Sequence, residues 1–203
     1  MHKSSMKAMR KFFDEYLDSN KEYSIIDIGS MGRDHKRVTP NLPVYPNYRH
    51  LIKNDKWHYQ GLDLAKGYNV DIVAKGLYDF GVDSGSYDVV ISGQCAEHVQ
   101  DLKLWMVEVA RIIKPGGLTC IIAPRLCTYH KHPIDCWRIY PDGMRWLLED
   151  AAKLEVLYIS EPPQILKSWR RAKRAAVSKI REAEIDQVGI ARKFKIAKQQ
   201  GDI

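Results

Sequence analysis

Along this chain, compact apolar runs that end in glycine or an acid alternate with stretches whose apolar residues recur at helical spacing. Residues 5 to 18 place Met6, Met9, Phe13, Tyr16 and Leu17 on one helical stripe, with Ser4 and Ser5 available as caps. An opening amphipathic helix within residues 1–20 follows, expected to cover one edge of a sheet. Tyr23-Ser24-Ile25-Ile26-Asp27-Ile28-Gly29 is an apolar run closed by glycine, the pattern of a buried parallel strand entering a tight turn. Pro40, Pro43 and Pro46 then bar a continuous helix, because each removes an amide donor and disfavours helix in the residue before it. Helix is expected again only around 47–53.

Further strands are expected at 57–64, 70–74, 87–92, 118–123 and 154–159, and helices at 101–113 and 141–152. Lys114-Pro115-Gly116-Gly117 is a basic last turn followed by a proline and glycine stop, and Pro141 suits the first turn of its helix. Residues 164–184 read as an extra helix with Ile165, Trp169, Ala172, Ala176 and Ile180 on one face and basic residues elsewhere, before a final strand at 188–194. Strands alternating with helices predict an α/β fold: one domain over 1–203, built on a doubly wound, mostly parallel seven-stranded sheet of Rossmann-like type with an extra basic C-terminal helix.

Composition refines this picture in three ways. A chain of 203 residues, 45% hydrophobic, buries one good core and is short for two. No run approaches the ~18 apolar residues of a membrane span, and the N-terminus shows no apolar leader, so a cytoplasmic location without a membrane span is expected. The four cysteines show no CxxC pairing, which fits reduced thiols. The net charge of +7 is confined to one place: residues 164–203 hold 11 Lys/Arg and 4 Asp/Glu, while the remainder carries 21 of each. A basic groove spread over the whole surface is therefore not implied, and the default for the basic helix is a solvated face.

In a doubly wound sheet the ligand lies beyond the carboxyl ends of the central strands. There the first strand delivers Asp27, Gly29 and Ser30, and the second ends in Asp63-Leu64, an acid able to accept hydrogen bonds from both hydroxyls of a ribose. The first turn, Gly29-Ser30-Met31-Gly32-Arg33, lacks the GxGxxG spacing that rests a pyrophosphate on a helix N-terminus, which argues against a dinucleotide.

More specific is Tyr87-Asp88-Val89-Val90-Ile91-Ser92-Gly93-Gln94-Cys95-Ala96-Glu97-His98-Val99, followed by Arg111-Ile112-Ile113-Lys114-Pro115-Gly116-Gly117. From about Tyr23 to Ile159 the chain resembles the small-molecule class I methyltransferases of the type 11 kind, in which similar blocks recur in this order. Tyr48-Arg49, Ser92-Gly93-Gln94, Glu97-His98-Val99 and His132-Pro133-Ile134-Asp135-Cys136-Trp137-Arg138, followed by Tyr140-Pro141-Asp142-Gly143-Met144, suggest a subgroup similar to glycan- or natural-product-tailoring enzymes. The resemblance implies S-adenosylmethionine as cofactor, with Asp27 and Gly29 beside its methionine part, Asp63 on the ribose, and Ser92, Gly93 and Gln94 near the sulfonium. It also shows two departures. Met31 and Arg33 stand where the family has small residues, and Lys75 stands where an acid commonly faces adenine, so main-chain groups near Gly76 and Leu77 are expected to hold the base.

Methyl transfer needs alignment and removal of a proton from the acceptor. His98, His130, His132 and Asp135 are the candidate catalytic groups, and Arg125, Trp137 and Arg138 the candidate acceptor-binding groups. Each has a plainer reading. Glu97-His98 starts a helix, where an acid often only complements the dipole, and Trp137 and Arg138 can anchor their loop, Arg138 on Asp135 or Asp142. The Cys127–Cys136 segment matches no common zinc spacing, so no metal is expected. The expected partner is a small-molecule or saccharide acceptor with an oxygen or nitrogen nucleophile. Nucleic acid is a rival suggested by the basic segment, but Ser-Gly-Gln-Cys after the fourth strand is not the Asn/Asp-Pro-Pro-aromatic motif of enzymes that methylate exocyclic base amines. A catalytically silent binding domain of the same fold is the third possibility.

Overall fold

A computed structural model describes residues 3–32, 47–131, 133–161 and 186–195. The expected basic helix at 164–184, Arg33 and His132 lie outside the described residues. The strands are β1 (Tyr23–Ile28), β2 (Trp57–Asp63), β3 (Ile72–Val73), β4 (Tyr87–Gly93), β5 (Ile113–Pro124), β6 (Glu155–Ile159) and β7 (Asp186–Arg192). They form one seven-stranded sheet in the order β3-β2-β1-β4-β5-β7-β6. Strands β1 to β5 pair in parallel, and β7 runs antiparallel between β5 and β6. The sheet is thus mixed, with β7 its one reversed strand among the described residues.

Side chains on the central strands alternate between two cores, as the two-residue period of a strand requires. Ile25, Val89, Ile91, Cys120 and Ile122 join Met9, Phe12 and Phe13 of α1 (Lys3–Tyr16) on one face. Ile26, Val90 and Ile121 join Trp105, Met106, Val109 and Ile112 of α2 (Leu102–Ile112), and Met144 of α3 (Pro141–Trp146), on the other. Helix α1 therefore packs over the middle of the sheet and not over an edge. Its aromatic stripe is most completely removed from water over strands that are themselves covered on both faces.

Two boundaries differ instructively from expectation. The Lys114-Pro115-Gly116-Gly117 stop does end α2, but those residues already belong to β5: Tyr87 pairs Ile113 and Val89 pairs Leu118, so the intervening residues form an irregularity in the ladder. Helix α2 begins at Leu102, capped by Asp101 accepting from the Leu104 amide at 2.9 Å, whereas Ala96–His98 is only a 3-10 turn. Glu97-His98 is consequently not a helix start, and Glu97 does not act as a dipole complement.

Candidate active site

The carboxyl ends of β1 and β2 are built from buried, mutually paired polar groups. Asp27, at the end of β1, accepts from the Tyr59 hydroxyl at 2.6 Å, and that hydroxyl accepts from the Asn69 amide at 3.1 Å. Arg49 continues the chain: its Nε donates to Asn69 Oδ1 at 2.6 Å, its Nη2 to Asp71, and its guanidinium stacks 4.6 Å from the Tyr59 ring centroid. Burial pushes the Asp27 carboxyl up to about 7, with the Tyr59 hydrogen bond pulling the other way.

Gly29 follows with φ +76, and a Cβ there would lie 2.5 Å from Cys95 Sγ, so the first turn rests directly on the loop after β4. Asp63 accepts the Met31 amide on Oδ2 at 3.0 Å and the Leu64 amide on Oδ1 at 2.8 Å. An ionised carboxylate offers about four acceptor positions, so these two amides orient Asp63 and leave capacity for a pair of hydroxyls. The eroded turn is accommodated because the Met31 side chain packs over Gly67, and the Lys75 stem lies along Gly81. Gly76 engages its amide with Asp79 O at 2.8 Å, and Leu77 is half-buried against the core.

Ser30 and Ser92, both placed near the cofactor by sequence, turn their hydroxyls to main chain: Ser30 Oγ to Asn69 O at 2.8 Å, Ser92 Oγ to Ile28 O at 2.7 Å. They fix the turns, so what they offer a ligand is backbone. Gly93 lies against the buried Tyr48, whose hydroxyl would be 1.8 Å from a Cβ at that position. Gln94 has φ +59, an uncommon conformation for a residue with a side chain, and donates from Nε2 to Asp186 Oδ1 at 3.0 Å.

The carboxyl ends of β4 and β5 carry a different kind of cluster. Glu97 is 0% exposed, and neither carboxylate oxygen meets a hydrogen-bond partner among the described residues. His98 Nε2 lies 3.7 Å from Glu97 Oε1, and the His98 and His130 rings are perpendicular with centroids 5.1 Å apart. One ligand atom from each of Glu97, His98 and His130 lies within 4.8 Å of the others. Burial pushes the Glu97 carboxyl up to about 7, opposed first by its own backbone amide and then by nearby His130 and Arg138. The loop after β5 is held against this turn because the Cys136 and Trp137 amides both donate to Glu97 O, at 2.8 and 3.3 Å.

Arg138 grips Asp135 through Nη1–Oδ1 at 2.6 Å and Nη2–Oδ2 at 2.8 Å, which holds the Asp135 carboxyl well below the usual carboxylate range. Trp137 leaves 43% of its surface exposed while Nε1 donates to Val99 O at 2.7 Å. Arg125 is buried, with Nη2 donating to Asp186 O at 2.7 Å, and borders a cavity of about 570 Å³ between α1 and the β6–β7 strands.

Comparison with known proteins bears on the fold that carries these groups. A family model described as a methyltransferase domain matches residues 48–121. The match spans only part of the 203-residue chain, and the sheet with its flanking helices is the Rossmann-like fold of class I methyltransferases. No curated protein matches the sequence. Among solved structures, the chain is similar to a chain of the complex between the Haloferax volcanii Trm112 methyltransferase activator and a methyltransferase, at TM-score 0.63 and 17% identity, covering 95% of this chain and 90% of that one. It is also similar to the Burkholderia thailandensis 1,6-didemethyltoxoflavin-N1-methyltransferase with bound 1,6-didemethyltoxoflavin and S-adenosylhomocysteine, at TM-score 0.62 and 13% identity, covering 94% and 79%. The [4+2]-cyclase SpnF shares the fold at TM-score 0.59 and 14% identity, covering 94% and 81%.

Within the domain, the structure brings His98 and His130 together and sets Asp135 and Arg138 behind them as a bidentate pair. Sequence reasoning did not single out Tyr59, and it named Tyr48 and Glu97 only within the resemblance, without placing either in the site. Glu97 otherwise read as a helix-start acid.

Proposed function

We propose that this protein is a methyltransferase that transfers the methyl group of S-adenosylmethionine to an oxygen or nitrogen of a small molecule or saccharide. The reading is carried by one observation: a buried, unpartnered carboxylate and two imidazoles converge at the ends of β4 and β5, beside the strand end where the methyl donor is expected. The cofactor supplies a sulfonium methyl that is already electrophilic. The chain's own residues do the rest. Asp63 binds the ribose hydroxyls, and the main chain at Gly29 and at Gly93-Gln94 lies against the methionine part. Adenine is taken by the surface near Gly76 and Leu77. Glu97, His98 and His130 receive the nucleophilic atom of the acceptor, whose proton is lost there. The exposed face of Trp137 bounds the acceptor's entry.

Isothermal titration with S-adenosylhomocysteine tests the cofactor half. Asp63→Ala is expected to weaken binding about 10- to 100-fold, the equivalent of losing a charged hydrogen-bond acceptor. Unchanged affinity removes the ribose contact. Transfer of a labelled methyl group to a panel of phenols, sugars and amines tests the acceptor class.

A second reading, a domain of this fold that does not methylate, draws on the hydroxyls of Ser30 and Ser92 being turned away to main chain. A rise in melting temperature with S-adenosylhomocysteine, by mass action, counts against it.

A further inference from the structure

Glu97 is fully buried and neither oxygen meets a hydrogen-bond partner among the described residues, an arrangement that costs several kcal/mol unless the carboxyl is neutralised or a positive charge compensates it. The neighbouring described cations do not do so directly. Arg138 is engaged with Asp135, and the His98 contact at 3.7 Å is longer than a hydrogen bond. We propose that Glu97, His98 and His130 form a binding site for a single divalent transition-metal ion of the zinc type.

Both histidines are prepared for ligation by the groups behind them. His98 Nδ1 bonds the Ile134 carbonyl, which fixes the proton on that nitrogen and leaves the Nε2 lone pair on the Glu97 side. His130 Nδ1 lies 3.1 Å from Thr128 O and 3.4 Å from Asp135 Oδ2, so its proton is held there and Nε2 is the free lone pair. A ring N–H directed to a carbonyl or carboxylate is the usual support of a metal-ligating histidine. Asp135 is in turn locked by Arg138, and the Thr128 carbonyl also accepts from Arg138, at 3.1 Å. Two imidazoles and one carboxylate select zinc, cobalt or nickel over magnesium or calcium, which prefer all-oxygen sets. The sequence hides the site because Glu97-His98 and His130 come from different loops. They meet only because β4 and β5 are parallel neighbours that end on the same edge.

Three protein ligands leave a fourth position for water or for an oxygen of the acceptor, whose proton a cation makes easier to lose. That role rests on the methyl-transfer reading, while the site itself does not.

The test uses the full chain, stripped with a chelator and titrated with Co²⁺ followed visibly, then with Zn²⁺ in competition. The expected result is one equivalent of Co²⁺ with the intense visible absorption of a low-symmetry nitrogen/oxygen site, displaced by Zn²⁺. Affinity should fall on the order of 100-fold in Glu97→Gln and in His130→Ala. His130 is partly exposed on a loop, so His130→Ala keeps the fold and decides the question even where a change at the buried Glu97 does not. Absence of stoichiometric Co²⁺ binding, or binding unaltered in His130→Ala, overturns the proposal. S-adenosylhomocysteine titrated into chelator-treated protein separates the two readings. Its binding without Co²⁺ binding sinks the metal site alone, and Co²⁺ binding without it sinks the methyl-transfer reading alone.

Discussion

The two halves of the cleft solve the problem of buried polarity in opposite ways. On the β1–β2 side, Asp27, Tyr59, Asn69, Arg49 and Asp71 form a continuous chain in which each group meets a partner. On the β4–β5 side, Glu97 is as deeply buried as Asp27 yet neither of its oxygens has one among the described residues. A satisfied network rigidifies a turn, whereas an unmet carboxylate beside two imidazoles is a place where something else completes the shell. On the proposed reading, the first half is scaffold for the cofactor and the second receives the acceptor.

The largest effect is expected where the two halves are joined. Gly93→Ala would drive a Cβ to 1.8 Å from the Tyr48 hydroxyl, itself buried and bonded to Ser5, so Tyr48 must leave its place. We expect a loss of about 3 kcal/mol or more in urea unfolding. A loss below 1 kcal/mol would show that this contact yields, and that the halves are less tightly coupled than drawn.

Next comes the pH dependence of the scaffold half. The Asp27 carboxyl is raised from 3.8 to about 7, so the folded chain binds this proton more readily than the unfolded one. Its contribution to stability is therefore full below about pH 4 and is lost as pH rises toward 7, the reverse of a salt-bridged acid. Asp27→Asn keeps an acceptor for Tyr59 and removes the titration. Relative to that variant, the wild-type chain should lose up to about 4 kcal/mol between pH 4 and 8. Parallel stability curves for the two proteins would mean that Asp27 is ionised at no cost, and the contrast with Glu97 would lose its basis.

Smallest is the acceptor rim. Trp137→Phe removes the hydrogen bond to Val99 O and is expected to cost about 1 kcal/mol, a fall of about 2–4 °C in Tm. With an acceptor in hand, KM should rise more than kcat falls. A loss confined to kcat would place Trp137 at the reacting atoms and not at the entry.

Much of this was legible in the residues themselves. Runs such as 23–29 and 87–93 carry their strand identity locally, because a strand buried on both faces needs an unbroken apolar run. Asp63 was legible for the same reason: the end of the second strand in this fold is a fixed place relative to the first turn. Helix α1 over the sheet centre, the ladder irregularity at 114–117 and the reversed β7 depend on which surfaces meet, and local pattern does not encode that.

The sequence alone, then, determined the alternation of strands and helices, the glycine turn and the acid that follow from it, and through them the half proposed to hold the cofactor. Tertiary structure alone decided that Glu97 is buried without a hydrogen-bond partner among the described residues, that His98 and His130 from separate loops face each other, and that Asp135 is held by Arg138 behind them. The physical reason is range. Periodicity and turn chemistry act over a few residues and can be read along the chain, whereas burial and pairing of charged groups arise between segments that touch only after the sheet has formed.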